Sequence, residues 1–443
     1  MKRFGIAGIP LTSKGRTLLD SIADVHFLGL TSLEVQLLRV NVEQVPSMEH
    51  SGMFPRDVED SIVVNVLRPD ENGNYVSIGT DSIIEEEDIV EKLFWNMARN
   101  YDEILEAGEL SRELDVELSL HAPYYMDLLG DDDISTRSYE HLKWSMVIAK
   151  GMSAKRIITH TGFYHKGKKE SLRRAKDIYS TLGNEFPVEK GFPYIGVETS
   201  GKSEIFGTVE EVISIARRVK EVEPIMNLPH IHSLSNGGLI ELKNFEEMVN
   251  TFKKFAKNEL YVEYAGVSYR SGNEVKIMPI KYGDLKFETF SELLVEDEDD
   301  YNIISFSPLL EHDAQYMELI FLRSLSRKLQ RLETLKKRAK KVETVTREYN
   351  IKKGRKVDND TIKEACDDIF GNARVASSGH IISKTPGLNK IEAFTDGKKL
   401  YVTTESSPNR SDYANAVKLY NKFIERITGT TSKERRKSLQ KKR

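Results

Sequence analysis

The chain has 443 residues, 39% of them hydrophobic, and a formal net charge of −4. That length suits two or three domains with sizeable cores. No apolar run approaches the roughly 18 residues of a membrane span, and the basic start "MKRFGIAGIPLTSKG" lacks the apolar stretch of a secretory signal. The single cysteine, Cys366, excludes a disulfide framework and a cysteine-built zinc site within one chain, so a cytoplasmic protein without membrane contact is expected.

Along residues 1–320, short β-branched apolar runs recur: "FGIAG" (4–8), "SLEVQLL" (32–38), "VELSLHA" (116–122), "RIITHTG" (156–162), "YIGVETS" (194–200), "EPIMNLP" (223–229), "LYVEYAG" (260–266) and "NIISFSP" (302–308). Helical patterns fill the intervals, at 12–27, 92–112, 135–150, 168–183, 208–222, 241–257, 284–294 and 309–330. In "TVEEVISIARRVKEV", Thr208 and Glu211 fit a capping box and Val209, Val212, Ile213 and Ala216 share one face. Eight strand–helix units over about 320 residues predict a (β/α)8 TIM barrel, with an open doubly wound sheet as the alternative. No glycine-rich nucleotide fingerprint follows the first strand. The gap between the second and third runs is long. Within it "SIVVNVLRPDENGNYVSIG" (61–79) reads as a β-hairpin turning near Asn72-Gly73, the centre of an inserted lobe at about 46–90.

The texture changes near residue 321. From there to the end the chain holds 31 Lys+Arg against 14 Asp+Glu, a net of +17, which leaves −21 for residues 1–320. A long basic helix over 321–346 carries Leu325, Leu329, Leu332 and Leu335 as an apolar stripe, predicted to dock on a neighbour. Arg327, Arg331, Lys336, Arg338 and Lys341 would then face solvent, suited to a nucleic-acid backbone or, alternatively, to the acidic barrel. Residues 347–443 read as a small α+β domain with a hairpin over 388–406 turning at Asp396-Gly397, an amphipathic helix over 411–429 and a basic tail.

The strand ends carry the chemistry. In a barrel they converge on one face, and here they present His121, His160, Glu198, Asn227 with His230 and His232 just beyond, Glu263, and Phe306 followed by Glu311 and His312. Imidazole and carboxylate are the ligands a zinc-like ion takes. His121, His160 and Glu198 would supply three and leave one position open.

Read together, "FGIAGIPLTSKGRTLLDSI", "LHAPYY", "THTGFY", "GVETSG", "NLPHIH" and "SFSPLLEHDA" resemble, in order, the blocks of the endonuclease IV family of apurinic/apyrimidinic endonucleases, archaeal branch, within the xylose-isomerase-like superfamily. The resemblance spans roughly residues 3–325 apart from the insert. It implies a TIM barrel with a trinuclear zinc centre that cleaves DNA 5′ to an abasic site. His121, His160, Glu198 and His230 match family ligands. Asn227 stands in place of an aspartate, Glu263 of a histidine, Ile277 of another histidine and Phe306 of a glutamate, so fewer than three divalent ions are expected. Glu263, Glu311 and His312 could rebuild a second site. Separately, "YNIKKG", "GKKLYVTTES" and "YNKFIERITGTTSKERRK" resemble a small archaeal domain of unassigned function.

Three readings follow. The first is a metal-dependent phosphodiesterase acting on DNA at abasic or damaged sites, an endonuclease IV-like hydrolase with Glu198 holding the ion and orienting the nucleophile. The second is a nucleic-acid-binding protein whose metal centre has degenerated. The third is a single-metal sugar isomerase or epimerase, which the acidic barrel suits but the basic appendage does not explain. The resemblance favours the first.

Overall fold

The structure, a computed structural model, describes the chain apart from residue 39 and residues 341–343, 408–411 and 441–443, and gives only the backbone of 336–340, 413 and 438–440. It divides into two compact units, Met1–Ser326 and Arg327–Arg443.

The first unit opens with β1 (Lys2–Ala7), α1 (Leu18–Phe27) and β2 (Ser32–Gln36). Next comes the inserted lobe, β3 (Asn41–Pro46), β4 (Ile62–Pro69), β5 (Tyr75–Ser77) and β6 (Ile89–Phe94). The barrel resumes with α2 (Tyr101–Glu113), β7 (Glu117–His121), α3 (Asp133–Gly151), β8 (Arg156–Thr159), α4 (Lys168–Glu185), β9 (Tyr194–Glu198), α5 (Val209–Arg218) and β10 (Val222–Asn227). It is completed by α6 (Leu228–Leu234), α7 (Leu242–Phe252), β11 (Leu260–Tyr264), the ribbon β12 (Gly266–Arg270) and β13 (Asn273–Met278), α8 (Phe287–Glu296), β14 (Tyr301–Ser305) and α9 (Glu311–Lys340). Eight strands close in the order β1-β14-β11-β10-β9-β8-β7-β2, all parallel. These are the eight runs of the sequence, and the open-sheet alternative falls away. The Thr208–Glu211 capping box forms at α5.

Inside the barrel the layers differ in chemistry. At the strand starts Arg156 is fully buried. Its Nε donates to Glu223 (2.7 Å), Nη1 to Glu117 (3.1 Å) and Nη2 to Glu259. Above it Ala7, Ile158, Ile225, Tyr261 and Ile304 form an apolar plug. The strand ends above that plug carry the candidate site.

Three expectations are corrected here. The insert is more than a hairpin: β4 and β5 do pair around residues 70–74, but within a four-stranded antiparallel sheet of order β3-β6-β4-β5. The helix expected over 92–112 starts only at Tyr101, because residues 89–94 form β6, held by β3 on one side and β4 on the other. The leucine stripe is largely exposed, with Leu325 alone half-buried. Phe321 still packs against the barrel core, but Leu329, Leu332 and Leu335 are 54%, 43% and 51% exposed. Periodicity reports that one helix face is apolar; it does not supply a partner.

In the second unit, β15 (Thr344–Asn350), α10 (Asn359–Phe370), β16 (Arg374–Val375), β17 (Ile381–Thr385), β18 (Leu388–Thr395), β19 (Lys399–Ser406), α11 (Tyr413–Thr428) and α12 (Ser432–Gln440) follow one another. The sheet runs β15-β19-β18-β17-β16, antiparallel throughout. Its core joins Ile391, Leu400 and Val402 to Ile362 and Cys366 of α10 and Phe423 of α11. Arg327 and Arg331 are exposed; the side chains of Lys336 and Arg338, and all of Lys341, lie outside the described residues.

Candidate metal centre

His121 ends β7 and Glu198 ends β9, so the closure of the barrel brings them to one point with His160, which directly follows β8. One ligand atom from each of the three lies within 4.8 Å of the other two. His121 Nε2 and His160 Nε2 stand 3.2 and 3.3 Å from the same oxygen, Glu198 Oε2. A tetrahedral ion with ligand bonds of about 2.0–2.1 Å separates its ligand atoms by about 3.3–3.4 Å, so both separations from Glu198 fit. Glu198 is buried and His160 part-exposed, which leaves the approach to the cluster on the His160 side. Tyr124 stacks on His121 with ring centroids 4.4 Å apart.

The protonation states suit ligation at Glu198 and His160. Burial opposes charge on Glu198, yet the hydrogen bonds from His121 and His230 and the His230 charge hold it well below the usual carboxylate range. Burial depresses His160 to about 4 and keeps its imidazole neutral. His121 is raised, because its hydrogen bond to Glu198 and the charge of Glu34 outweigh its burial. A bound cation would have to displace that proton.

His230 meets the same carboxylate differently. Its Nδ1 lies 3.2 Å from Glu198 Oε1 and 2.7 Å from the Thr199 carbonyl, and its Nε2 lies 3.0 Å from Glu274. With both nitrogens facing acceptors, it is pushed up to about 10 by Glu198 and Glu274 against the cost of burial. The structure therefore places it as an ion-pair partner of Glu198, outside the group of three. Gly201 permits this approach: a Cβ there would stand 2.8 Å from Glu274 and 2.9 Å from His230.

Asn227 has its amide fully engaged. Nδ2 donates to Glu198 Oε1 (2.8 Å) and Glu263 Oε2 (2.7 Å), and Oδ1 accepts from the His230 amide (3.0 Å). The NH2 group thus occupies the place between two carboxylates that a cation could take. Glu263 sits beside Asn227 in strand register, and burial together with the charges of Glu198 and Glu34 raises its pKa well above the usual range. Phe306 packs against the apolar plug and meets His230 edge-on at 6.0 Å.

Other candidates separate from the cluster. Glu311 does not rebuild a second site, since its carboxylate accepts from the Leu11 and Thr12 amides. His312 is exposed. His232 is buried with Nε2 toward Asp284 and Nδ1 accepting from the Leu239 amide. Ile277 lies half-buried on β13 opposite Val267; the side chain this strand delivers to the site is Glu274. Two residues escaped the sequence reading, Glu274 and Glu34. Glu34 is buried, accepts from Gln36 Nε2 (2.7 Å) and Tyr261 Oη (2.9 Å), and forms a second close group with His121 and Glu263. The signal was present: Ser32, Glu34 and Gln36 alternate with Leu33 and Val35, which turns a polar face into a barrel interior.

Fold and site together define a (β/α)8 barrel with a histidine–carboxylate cluster at its strand ends. Residues 88–306 match the family model described as a xylose isomerase-like TIM barrel, and residues 346–441 match a domain of unknown function. An uncharacterized protein of Methanocaldococcus jannaschii is 23% identical over 207 residues, 45% of this chain and 75% of that protein. Similar solved structures include endonuclease IV from Thermus thermophilus, with 14% identity, 73% of this chain and 99% of that chain covered, and a TM-score of 0.48. A family 2 AP endonuclease from Brucella melitensis gives 11%, 70%, 94% and 0.43. D-psicose 3-epimerase from Clostridium cellulolyticum gives 11%, 72%, 99% and 0.44. No helix among the described residues is long and apolar enough to cross a membrane.

Proposed function

We propose that the barrel is a metal-dependent phosphodiesterase acting on DNA at abasic or damaged sites, with one zinc-like ion held by His121, His160 and Glu198. Such an ion would supply Lewis acidity and acidify water toward neutrality. Glu198 would orient the cluster through both oxygens, one toward His121 and His160 and the other toward Asn227. His230, charged between Glu198 and Glu274, offers a proton donor and a positive group beside an anionic substrate.

The observation that carries the DNA reading is the rim. Tyr125 is 99% exposed four residues beyond His121, and Phe163 is 48% exposed three residues beyond His160. Exposed rings on the loops that follow two of the ligands suit stacking on bases of an extended substrate, whereas a small sugar is bound by enclosure. In the second unit the exposed Arg327 and Arg331 would offer contacts of their own to phosphate.

A binding-only role is the competing reading. It rests on Phe306 against His230 and on Asn227 between two carboxylates, both of which leave less room for metal. Incubating the full chain with a duplex carrying one abasic site, with zinc or with a chelator, tests the proposal. Metal-dependent nicking lost in His160→Ala supports it. Purified protein that takes up no divalent ion and retains DNA would favour the binding role.

A further inference from the structure

Glu34 and Glu263 are two carboxylates that the phosphodiesterase reading leaves without a task. They are 1% and 3% exposed, and with His121 they bring three ligand atoms within 4.8 Å. Glu263 Oε1 has no hydrogen-bond partner. A buried carboxyl oxygen left without a partner is costly, and Asn227 has no N–H left to satisfy it. Glu34 is already oriented by Gln36 and Tyr261.

His121 belongs to both groups but has one nitrogen to give. Nδ1 lies 2.6 Å from the Ala122 carbonyl, an acceptor that fixes the N–H there and leaves the lone pair on Nε2. One lone pair serves one ion. We propose that the pocket offers a single divalent ion two seats sharing His121, an outer seat completed by His160 and Glu198 and an inner seat completed by Glu34 and Glu263. This rests on the metal reading above. The donor sets differ: the outer seat is rich in imidazole and favours zinc, while the inner seat is rich in carboxylate and favours manganese or magnesium. The barrel is thereby a site whose resident ion changes place with its identity.

The full chain, stripped of metal and dialysed against Zn2+ alone or Mn2+ alone, tests this by elemental analysis, with circular dichroism to verify folding. Wild type should take one equivalent of either ion, and zinc should displace manganese one for one. Since even outer-shell partners of a metal are worth about 10–100-fold in affinity, loss of a ligand should cost at least about tenfold. His160→Ala should lose zinc affinity by that factor and keep manganese. Glu34→Gln and Glu263→Gln should do the reverse. His121→Ala should lose both. A His160→Ala protein that loses both ions equally, or carboxylate variants that leave manganese unchanged, would overturn the shared-seat proposal alone. Two equivalents in wild type, or zinc and manganese bound together, would overturn it too, and these need no variant to fold. A wild type that binds neither ion would instead bring down the metal reading of the whole pocket.

Discussion

Replacing Asn227 with aspartate changes two atoms' worth of chemistry at the centre of the site. In the present structure the amide donates to Glu198 at 2.8 Å and to Glu263 at 2.7 Å. An aspartate keeps the oxygen that accepts from the His230 amide and turns the NH2 into an oxygen facing two carboxylates. The hydrogen bond to the charged Glu198 is lost, worth about 1.5–3 kcal/mol. So is the one to Glu263, a carboxyl that burial and its neighbours keep from ionising, worth about 0.5–1.5 kcal/mol. The new carboxylate also faces that of Glu198 in a buried pocket. The metal-free variant should therefore be less stable by about 2–4.5 kcal/mol at pH 8. For a barrel of this size, with an unfolding entropy of about 2.1 cal/mol/K per residue, that is a fall in melting temperature of about 3–7 °C. Two additions should recover it. Acid restores a donor by protonating the new carboxylate, so the deficit shrinks as pH falls. A divalent cation between the carboxylates does the same at neutral pH, and the variant should hold at least one more ion than wild type. Differential scanning calorimetry across pH, with and without zinc, reads both effects. A metal-free Asn227→Asp protein that melts with wild type at pH 8 would refute the account of Asn227 as the group standing in for a cation.

The remaining expectations concern charge. His230, raised to about 10 between Glu198 and Glu274, contributes stability that is complete below the ordinary imidazole value of about 6.5 and fades as pH climbs through about 10. Metal-free His230→Gln should thus trail wild type most near pH 6 and converge with it above pH about 10–11 in thermal melts. Arg156→Met strands Glu117, Glu223 and Glu259 at the closed end of the barrel; a loss of about 3–5 kcal/mol is expected, shrinking toward acid, and an unchanged chemical-denaturation midpoint would contradict it. Glutamine at Arg327, Arg331, Lys336 and Arg338 should flatten the dependence of log K on log salt for duplex DNA by roughly three units, at about 0.9 per phosphate contact. A slope that does not move removes α9 from the DNA interface.

The strands of the barrel were legible because they are buried on both faces and read as short, largely apolar and β-branched runs. The same property made His121, His160 and Glu198 visible. The lobe was harder. "NVEQVP" and "IVEKLF" are short and charged, and β6 runs on toward α2 without a strong breaker, so its residues read as helix until their pairing with β3 and β4 is known. Glu274 was out of reach for another reason. The ribbon β12–β13 shifts register between Ser268 and Tyr269, and such a shift changes which side chain of a strand faces a site. Glu34 was readable in principle, from its alternation with Leu33 and Val35, but a lone carboxylate in a strand says nothing of what it meets across the barrel.

The lobe also bears on how this chain could change over evolutionary time. Asn41 at its start pairs with Phe94 at its end, so the chain leaves and re-enters at a single point. The barrel's strand order would survive loss or exchange of everything between. Only one face of the lobe is committed: Ile62, Val64 and Leu93 join the barrel core, while Val58, Val63, Val66, Ile84 and Val90 form a core of their own. It is in effect a removable cassette, one that a sister lineage could drop or trade for another module by resurfacing a few apolar positions.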